Sequence, residues 1–270
     1  MTFRNWCLLP ARAIAAALII GPLAIVLVYS FLTRGDYGGV ELPWTAENMV
    51  RLTDPLYLAI LGRSVWLATA ATLLCAIAGF PVALFIARAG PRRNLWLQLI
   101  LLPFWTSFLI RTYAWIFLLR ETGLLNALLP VPLHLLYSDA AVLLGLVCNY
   151  LPFFILPLYA SLERLDRALP EAAADLGARP WSVFRRVILP LSKPGLVAGS
   201  VLVFIPCLGA YLTPDLLGGG KTVMIGNLVQ NQFTNARDWP FGSAVSMAIL
   251  ALSAFLAMAL LRHRAAKELL

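Results

Sequence analysis

The sequence is 270 residues long, 61% hydrophobic and only 13% charged, so it has more apolar side chain than one water-soluble core can hide and too little charge to coat a surface. A soluble domain is excluded. The formal net charge of +8 does not point to nucleic acid, because the basic residues alternate with apolar runs as they do in cytoplasmic loops facing anionic lipid.

A helix needs about 20 apolar residues to cross the hydrocarbon core of a bilayer, and six segments qualify: roughly 13–32, 64–87, 95–119, 140–160, 195–213 and 241–261. The first follows Arg4 and Arg12 like a signal peptide, but its apolar run is long and ends Tyr29-Ser30-Phe31-Leu32 with no small-x-small cleavage site, so it is expected to stay as a helix. Fourteen of the 21 basic residues fall on one side: Arg4, Arg12, Arg88, Arg92, Arg93, the six from Arg164 to Lys193, and Arg262, Arg264 and Lys267. That side is cytoplasmic. Both termini are therefore expected in the cytoplasm, and segments 33–57, 120–139 and 214–240 outside. In the fifth span Pro206 and Gly209 loosen the backbone ladder, which suits either a gate or a static kink.

The longest cytoplasmic loop, 162–194, contains ERLDRALPEAAADLGARPWSVFRRVILPLSKPG and predicts two short helices at a sharp turn. Pro170 suits a first helical position, Glu171 the positive helix N-terminus, and Gly177 the left-handed conformation that ends a helix. Pro180 starts the second helix, in which Trp181, Phe184, Val187 and Ile188 recur at helical spacing until Pro190 stops it. Pattern alone leaves two readings, a helix lying on the bilayer or a docking elbow.

In the outer loop, LLGGGKTVMIG ends its glycine run on Gly220-Lys221-Thr222, the close of a phosphate-binding loop. A P-loop needs a glycine five positions before Gly220, and Asp215 stands there, where a carboxylate repels phosphate. The loop also faces away from cytoplasmic ATP. Cys7, Cys75, Cys148 and Cys207 show no CxxC or Cys/His spacing, so neither a disulfide framework nor a zinc site is indicated. His134 and His263 are the two histidines, and no constellation for nucleophilic, acid–base or metal catalysis is present.

Glu171-Ala172-Ala173, then Gly177, Val187 and Leu189-Pro190 resemble the EAA loop of ABC-importer permeases, the segment that docks on the ATPase subunit; Val187 replaces the family's usual isoleucine. Further stretches are similar to the permease subunits of spermidine/putrescine importers, among them Leu102-Pro-Phe-Trp-Thr106, Leu109-Ile-Arg-Thr-Tyr-Ala-Trp115, Leu151-Pro-Phe-Phe154, Leu217-Gly-Gly-Gly220 and Arg237-Asp-Trp-Pro-Phe-Gly242. The resemblance covers nearly the whole chain. It implies an all-α integral membrane protein of six transmembrane helices with the type I ABC importer permease fold, a single permease domain over 1–270 in the bacterial inner membrane. The implied partners are a second permease in a pseudo-two-fold heterodimer, two copies of a cytoplasmic ATPase that carry the ATP and Mg, and a periplasmic polyamine-binding protein. This chain is expected to bind no cofactor or metal and to catalyse no reaction.

ATPase coupling is assigned by that resemblance to Glu171, Ala172, Ala173, Asp175, Gly177, Leu189 and Pro190. For the substrate path the candidates are Arg111, Tyr113, Trp115, Asn149, Tyr150, Tyr211 and Asp215. Asp215 attracts a polycation and the tyrosines offer cation–π faces, whereas Arg111 repels one and reads as an ion-pair partner or gate element. Interfacial anchoring explains Trp105, Trp115, Trp239 and the tyrosines equally well. The alternatives are a permease for another small organic solute, or a secondary transporter acting alone. The latter usually carries an ionisable residue deep in a span, and the middle of each expected span lacks Asp, Glu, Lys and Arg.

Overall fold

The computed structural model describes residues 3–128 and 134–268, with side chains described for residues 10, 12–128 and 134–259. Arg4, Cys7, Arg262, His263, Arg264 and Lys267 lie outside the described side chains. In chain order the elements are α1 (Phe3–Tyr29), β1 (Leu32–Arg34), β2 (Val40–Trp44), α2 (Glu47–Arg51), α3 (Pro55–Arg88), α4 (Arg93–Leu101), α5 (Phe108–Leu119), α6 (Leu124–Leu128), α7 (Asp139–Glu163), α8 (Ala168–Asp175), α9 (Pro180–Val183), α10 (Leu189–Leu191), α11 (Lys193–Leu208), α12 (Leu212–Gly218), α13 (Ile225–Thr234) and α14 (Trp239–Glu268). They form two compact units, Met1–Ile60 with Leu228–Leu270, and Leu61–Asn227.

In the first unit α1 packs against α14, and an antiparallel hairpin pairs Leu32 with Trp44, Thr33 with Glu41 and Arg34 with Val40. Buried Asn48 ties α2 to the end of α1 by donating Nδ2 to the carbonyls of Ser30 at 3.2 Å and Leu32 at 2.9 Å. Asp238 is the pivot. Its Oδ1 accepts the Phe241 N–H at 3.1 Å in the first turn of α14, while its Oδ2 holds Arg51 Nη1 at 2.9 Å. The Arg51 guanidinium in turn lies 4.0 Å from the centre of the Phe241 ring.

In the second unit α7 is the most enclosed of the long apolar helices, half of its most apolar window being buried. Phe154, Ile155 and Leu158 of α7 and Val203 and Cys207 of α11 have at most 1% exposure. The two helices meet at a Gly-xxx-Gly pair, because small residues let backbones approach where lipid supplies no hydrophobic drive between helices. A Cβ on Gly195 would stand 2.6 Å from the Pro157 carbonyl, and one on Gly199 would stand 3.0 Å from the Phe154 carbonyl. Gly145 similarly admits Leu217 and Thr213 of α12 against α7.

Four helices are long and apolar enough to cross a membrane, and two bent pairs bring the number to as many as six among the described residues. The stretch expected as one span over 95–119 is sharply bent: the pair Gly90–Trp105 and Phe108–Leu128 turns by 88° at a short break, as a broken span or a re-entrant loop does. Pro103 opens a 3₁₀ turn, and Thr106 and Ser107 are extended at ψ 147° and 140°, so the α-ladder cannot pass. Thr106 Oγ1 donates to the Pro103 carbonyl at 2.7 Å and satisfies part of the break. The fifth segment also differs from its expected 195–213 bounds. α11 stops at Leu208 with Gly209 as its cap, and its 16 residues reach about 24 Å, short of the roughly 30 Å core. The preceding segment Pro180–Leu191 joins it at a 67° bend.

Gly195→Val should weaken the α7–α11 contact by about 1–3 kcal/mol through overpacking, whereas Gly62→Ala, which meets nothing within 4 Å, should change stability by less than about 1 kcal/mol. Thermal unfolding of the detergent-solubilised protein measures both. Asp238→Ala should cost about 2 kcal/mol by removing a helix cap and an ion pair together. Asp238→Asn, which keeps an acceptor for the cap, should cost less in the same assay.

Candidate functional site

The elbow over 162–194 is built by local hydrogen bonds. Asp166 Oδ1 accepts the Ala168 N–H at 3.0 Å, so α8 begins two residues before Pro170, whose missing N–H falls in the first turn where no helical partner exists. At the other end Gly177 has φ +84°. The Gly177 N–H bonds to the Ala174 carbonyl at 2.8 Å and the Ala178 N–H to the Ala173 carbonyl at 3.1 Å, which is a Schellman motif with glycine at its left-handed position. The chain then turns through extended Arg179 and enters α9 at Pro180.

Pro190 does not stop the second helix. Phe184–Ile188 form a π turn, closed by the Leu189 N–H on the Phe184 carbonyl, and α10 carries Pro190 at its start. The wider turn absorbs the hydrogen bond that proline cannot make. Val183 and Ile188 are the buried anchors, and Phe184 packs edge-on to Phe80 of α3 at 5.1 Å. Trp181, a member of the apolar set that the helical spacing groups together, is 69% exposed and stacks on Phe184.

Of the residues assigned to coupling, Glu171, Ala172, Asp175, Gly177 and Pro190 are exposed, and Ala173 and Leu189 half-buried. Beside them stands Leu176 at 89% exposure, which the sequence pattern did not single out. Glu171 and Leu176 are thus exposed before the Gly177 turn and Trp181 after it. In the sequence the only sign of the exposed leucine is an apolar residue directly before the helix-ending Gly177.

The path candidates occupy α5, α7 and the α11–α12 junction. Arg111 lies 5.3 Å from the centre of the Phe104 ring and 5.9 Å from that of Phe108, and its Nε and Nη1 are buried without a hydrogen-bond partner among the described residues. Phe104 meets Phe153 edge-on at 4.9 Å, and Phe153 lies 6.2 Å from Tyr150. An aromatic chain thus links Arg111 to Tyr150 through two phenylalanines. Asn149 is 2% exposed, and its Nδ2 also lacks a partner among the described residues. Trp115, one turn from Arg111, shares its face of α5 and is half-buried, whereas Tyr113 lies on the opposite face and is exposed. Asp215 is exposed in the first turn of α12, a helix that packs on both α5 and α7. Tyr211 is half-exposed, and its carbonyl accepts Asn227 Nδ2 at 2.8 Å.

The Gly-Lys-Thr run has a different occupation. Arg63 of α3 donates to Asp139 at 2.6 Å and to the Lys221 carbonyl at 3.1 Å, and the Thr222 hydroxyl donates to the same Asp139 oxygen. The loop is pinned to the N-terminus of α7, and its threonine is engaged there.

The sequence of this chain also matches a family model. Residues 79–267 fit the description "binding-protein-dependent transport system inner membrane component". The chain belongs to that family. Within it, the chain is 43% identical over 235 residues to the spermidine/putrescine transport system permease protein PotB of Escherichia coli (strain K12), covering 84% of this chain and 86% of that protein. It is 43% identical over 242 residues to PotB of Haemophilus influenzae, covering 87% and 85%. A chain from the crystal structure of a bacterial ABC transporter involved in import of the acidic polysaccharide alginate superposes with a TM-score of 0.77 at 16% identity, over 96% of this chain and 95% of that one. The fold is that of a type I ABC importer permease, and this family member is a multi-pass inner-membrane transport component.

The Arg111 and Phe104 contact should have measurable worth in so apolar a setting. A double-mutant cycle of Arg111→Leu and Phe104→Leu, read by thermal unfolding, should give a coupling of about 1 kcal/mol. Strict additivity would mean that the two groups merely lie close.

Proposed function

We propose that this chain is one permease of an ATP-driven importer and that it carries polyamines, spermidine or putrescine, received from a periplasmic binding protein. The observation that carries the reading is the exposed elbow Glu171–Gly177, held rigid by its Schellman motif, in a chain 43% identical to PotB permeases. Glu171, Ala172, Ala173, Asp175 and Gly177 form the contact with a cytoplasmic ATPase, and Leu189 and Pro190 pass its displacement into α11. A second, similar permease completes the channel and two ATPase subunits drive it, with both termini of this chain in the cytoplasm. ATP and Mg belong to the ATPase.

Closure of the ATPase pair on ATP moves the elbow, and the attached helices shift from inward to outward facing. The loaded binding protein then releases its cargo, and hydrolysis resets the state. Nucleotide and solute bias these populations only through unequal affinity for the two states. On the path, Asp215 at the exposed mouth draws a cation inward, and Tyr150 and Tyr211 supply ring faces to ammonium groups. Arg111, a fixed positive charge beside that route, acts as a gate that a polycation passes only when the helices move.

The test is uptake of labelled spermidine by cells lacking the chain, with the chain restored, and with a Gly177→Val variant restored. A β-branched residue at φ +84° costs about 1–2 kcal/mol and misdirects the elbow, although the site is sterically open. Restoration should recover uptake that unlabelled putrescine competes with and an unrelated amino acid does not. The variant should reach the membrane in normal amount and transport at a small fraction of the rate. Uptake unchanged by deletion removes the polyamine assignment and directs the same assay to other small organic solutes.

A further inference from the structure

At the arginine-rich end of α3 the chain turns through the 3₁₀ segment Gly90–Arg92 into α4, and two cavities open at this corner. One, of about 700 Å³, lies behind the elbow and is lined in part by Arg88, Arg93 and Arg167 with Glu163 and Glu171. The other, of about 510 Å³, is lined by apolar and aromatic side chains alone, among them Pro81, Phe85, Trp96 and Ile100.

Helical periodicity joins the two cavities. Pro81, Phe85 and Arg88 recur at i, i+4 and i+7 on α3, and Arg93, Trp96 and Ile100 at i, i+3 and i+7 on α4, so each set shares one face. Each face has its apolar members in the groove and its arginine in the polar cavity. Phe85 meets Trp96 edge-on at 5.3 Å and ties the two faces together.

The charges at the corner do not cancel. Arg93 is paired with Glu163, and Arg167 Nη2 donates to the Ala87 carbonyl at 3.5 Å. Arg88 has no carboxylate partner among the described residues. The corner therefore offers a surplus guanidinium beside a polar cavity and a continuous apolar groove, at the end of a membrane-spanning helix. An occupant that satisfies both halves is an anion with a long hydrocarbon tail. A zwitterionic lipid brings its own ammonium to compete with Arg88, and a free phosphate has nothing to place in the groove.

We propose that the α3–α4 corner binds an anionic glycerophospholipid, its phosphodiester against Arg88 in the cavity behind the elbow and one acyl chain along Phe85, Trp96 and Ile100. Pro170, Glu171 and Val183 of the elbow line the same polar cavity. A bound headgroup therefore supports the elbow from the bilayer side, and coupling becomes sensitive to lipid charge. The site stands on the chain being a membrane protein and does not depend on which solute is carried.

The test is a titration of the delipidated transporter, purified in mild detergent with its accompanying subunits, with phosphatidylglycerol, phosphatidylcholine or inorganic phosphate. Bound lipid is counted by native mass spectrometry and stability is followed by thermal unfolding. Phosphatidylglycerol should bind several-fold more tightly than phosphatidylcholine and raise the melting temperature. Arg88→Gln, which breaks no ion pair, should weaken phosphatidylglycerol about fivefold, the worth of one basic residue against anionic lipid, and Arg88→Lys should restore it. Ile100→Trp, which fills the groove, should weaken both lipids. Equal binding of the two lipids, or an Arg88→Gln protein that binds phosphatidylglycerol normally, overturns the proposal. Displacement of phosphatidylglycerol by inorganic phosphate would make this a free-anion site and overturn it too. So would binding to the isolated chain that vanishes in the assembled transporter, because a partner helix would then own the groove.

Discussion

The backbones of α7 and α11 meet so closely that a side chain on Gly195 would clash and one on Gly199 would be crowded, and the packing of the second unit depends on that contact. The elbow leaves the C-terminal end of α7 and returns at the N-terminal end of α11, so both of its roots are held by the same glycine-lined seam. Anything that pushes the elbow pushes the two helices as a pair. The same pair carries Asn149 and Tyr150 on α7 and ends, on the α11 side, just before Tyr211 and Asp215. The elbow and these side chains therefore rest on one seam, which on the proposed function would carry a displacement of the elbow to the proposed solute route.

The buried polar atoms have a consistent pattern. Hydrocarbon offers no water, so a break in a membrane helix persists only where local groups or neighbouring protein satisfy the freed backbone. The breaks near Thr106 and Ser192 each carry a hydroxyl bonded back to a carbonyl three residues earlier, and the Tyr211 carbonyl is answered by Asn227. Arg111 and Asn149 have buried nitrogens, and Thr213 and Ser243 buried hydroxyls, that nothing among the described residues satisfies. Such groups are costly when unpaired, and the second permease proposed above would supply acceptors that a single chain lacks.

Much of the elbow was legible in the sequence because its determinants are local: Gly177 lies at the left-handed turn and Pro180 opens the second helix, as the residue types alone require. The apolar spans were equally plain, since hydropathy needs only length. Hydropathy does not register direction, however. The run 95–119 is apolar throughout, and nothing in its average reveals that Pro103 and the extended Thr106–Ser107 pair turn it through nearly a right angle. Pro190 misled for a related reason, because proline forbids an α hydrogen bond but not a π turn that routes around it. The aromatic chain from Arg111 to Tyr150 was hidden because Phe104 and Phe153 lie far apart in sequence, and only the packing of the α4–α5 corner on α7 makes them neighbours.

The π turn at Phe184–Ile188 has a consequence for length. Each residue of an α-helix advances the next by about 100°, so one residue added or removed between the buried anchors Val183 and Ile188 would rotate everything downstream by that angle. Gly195 and Gly199 would then leave the seam and present bulkier neighbours to α7. The segment can exchange its exposed side chains, such as Arg185 and Arg186, with little structural effect, but its residue count is fixed by the helix it must deliver in register.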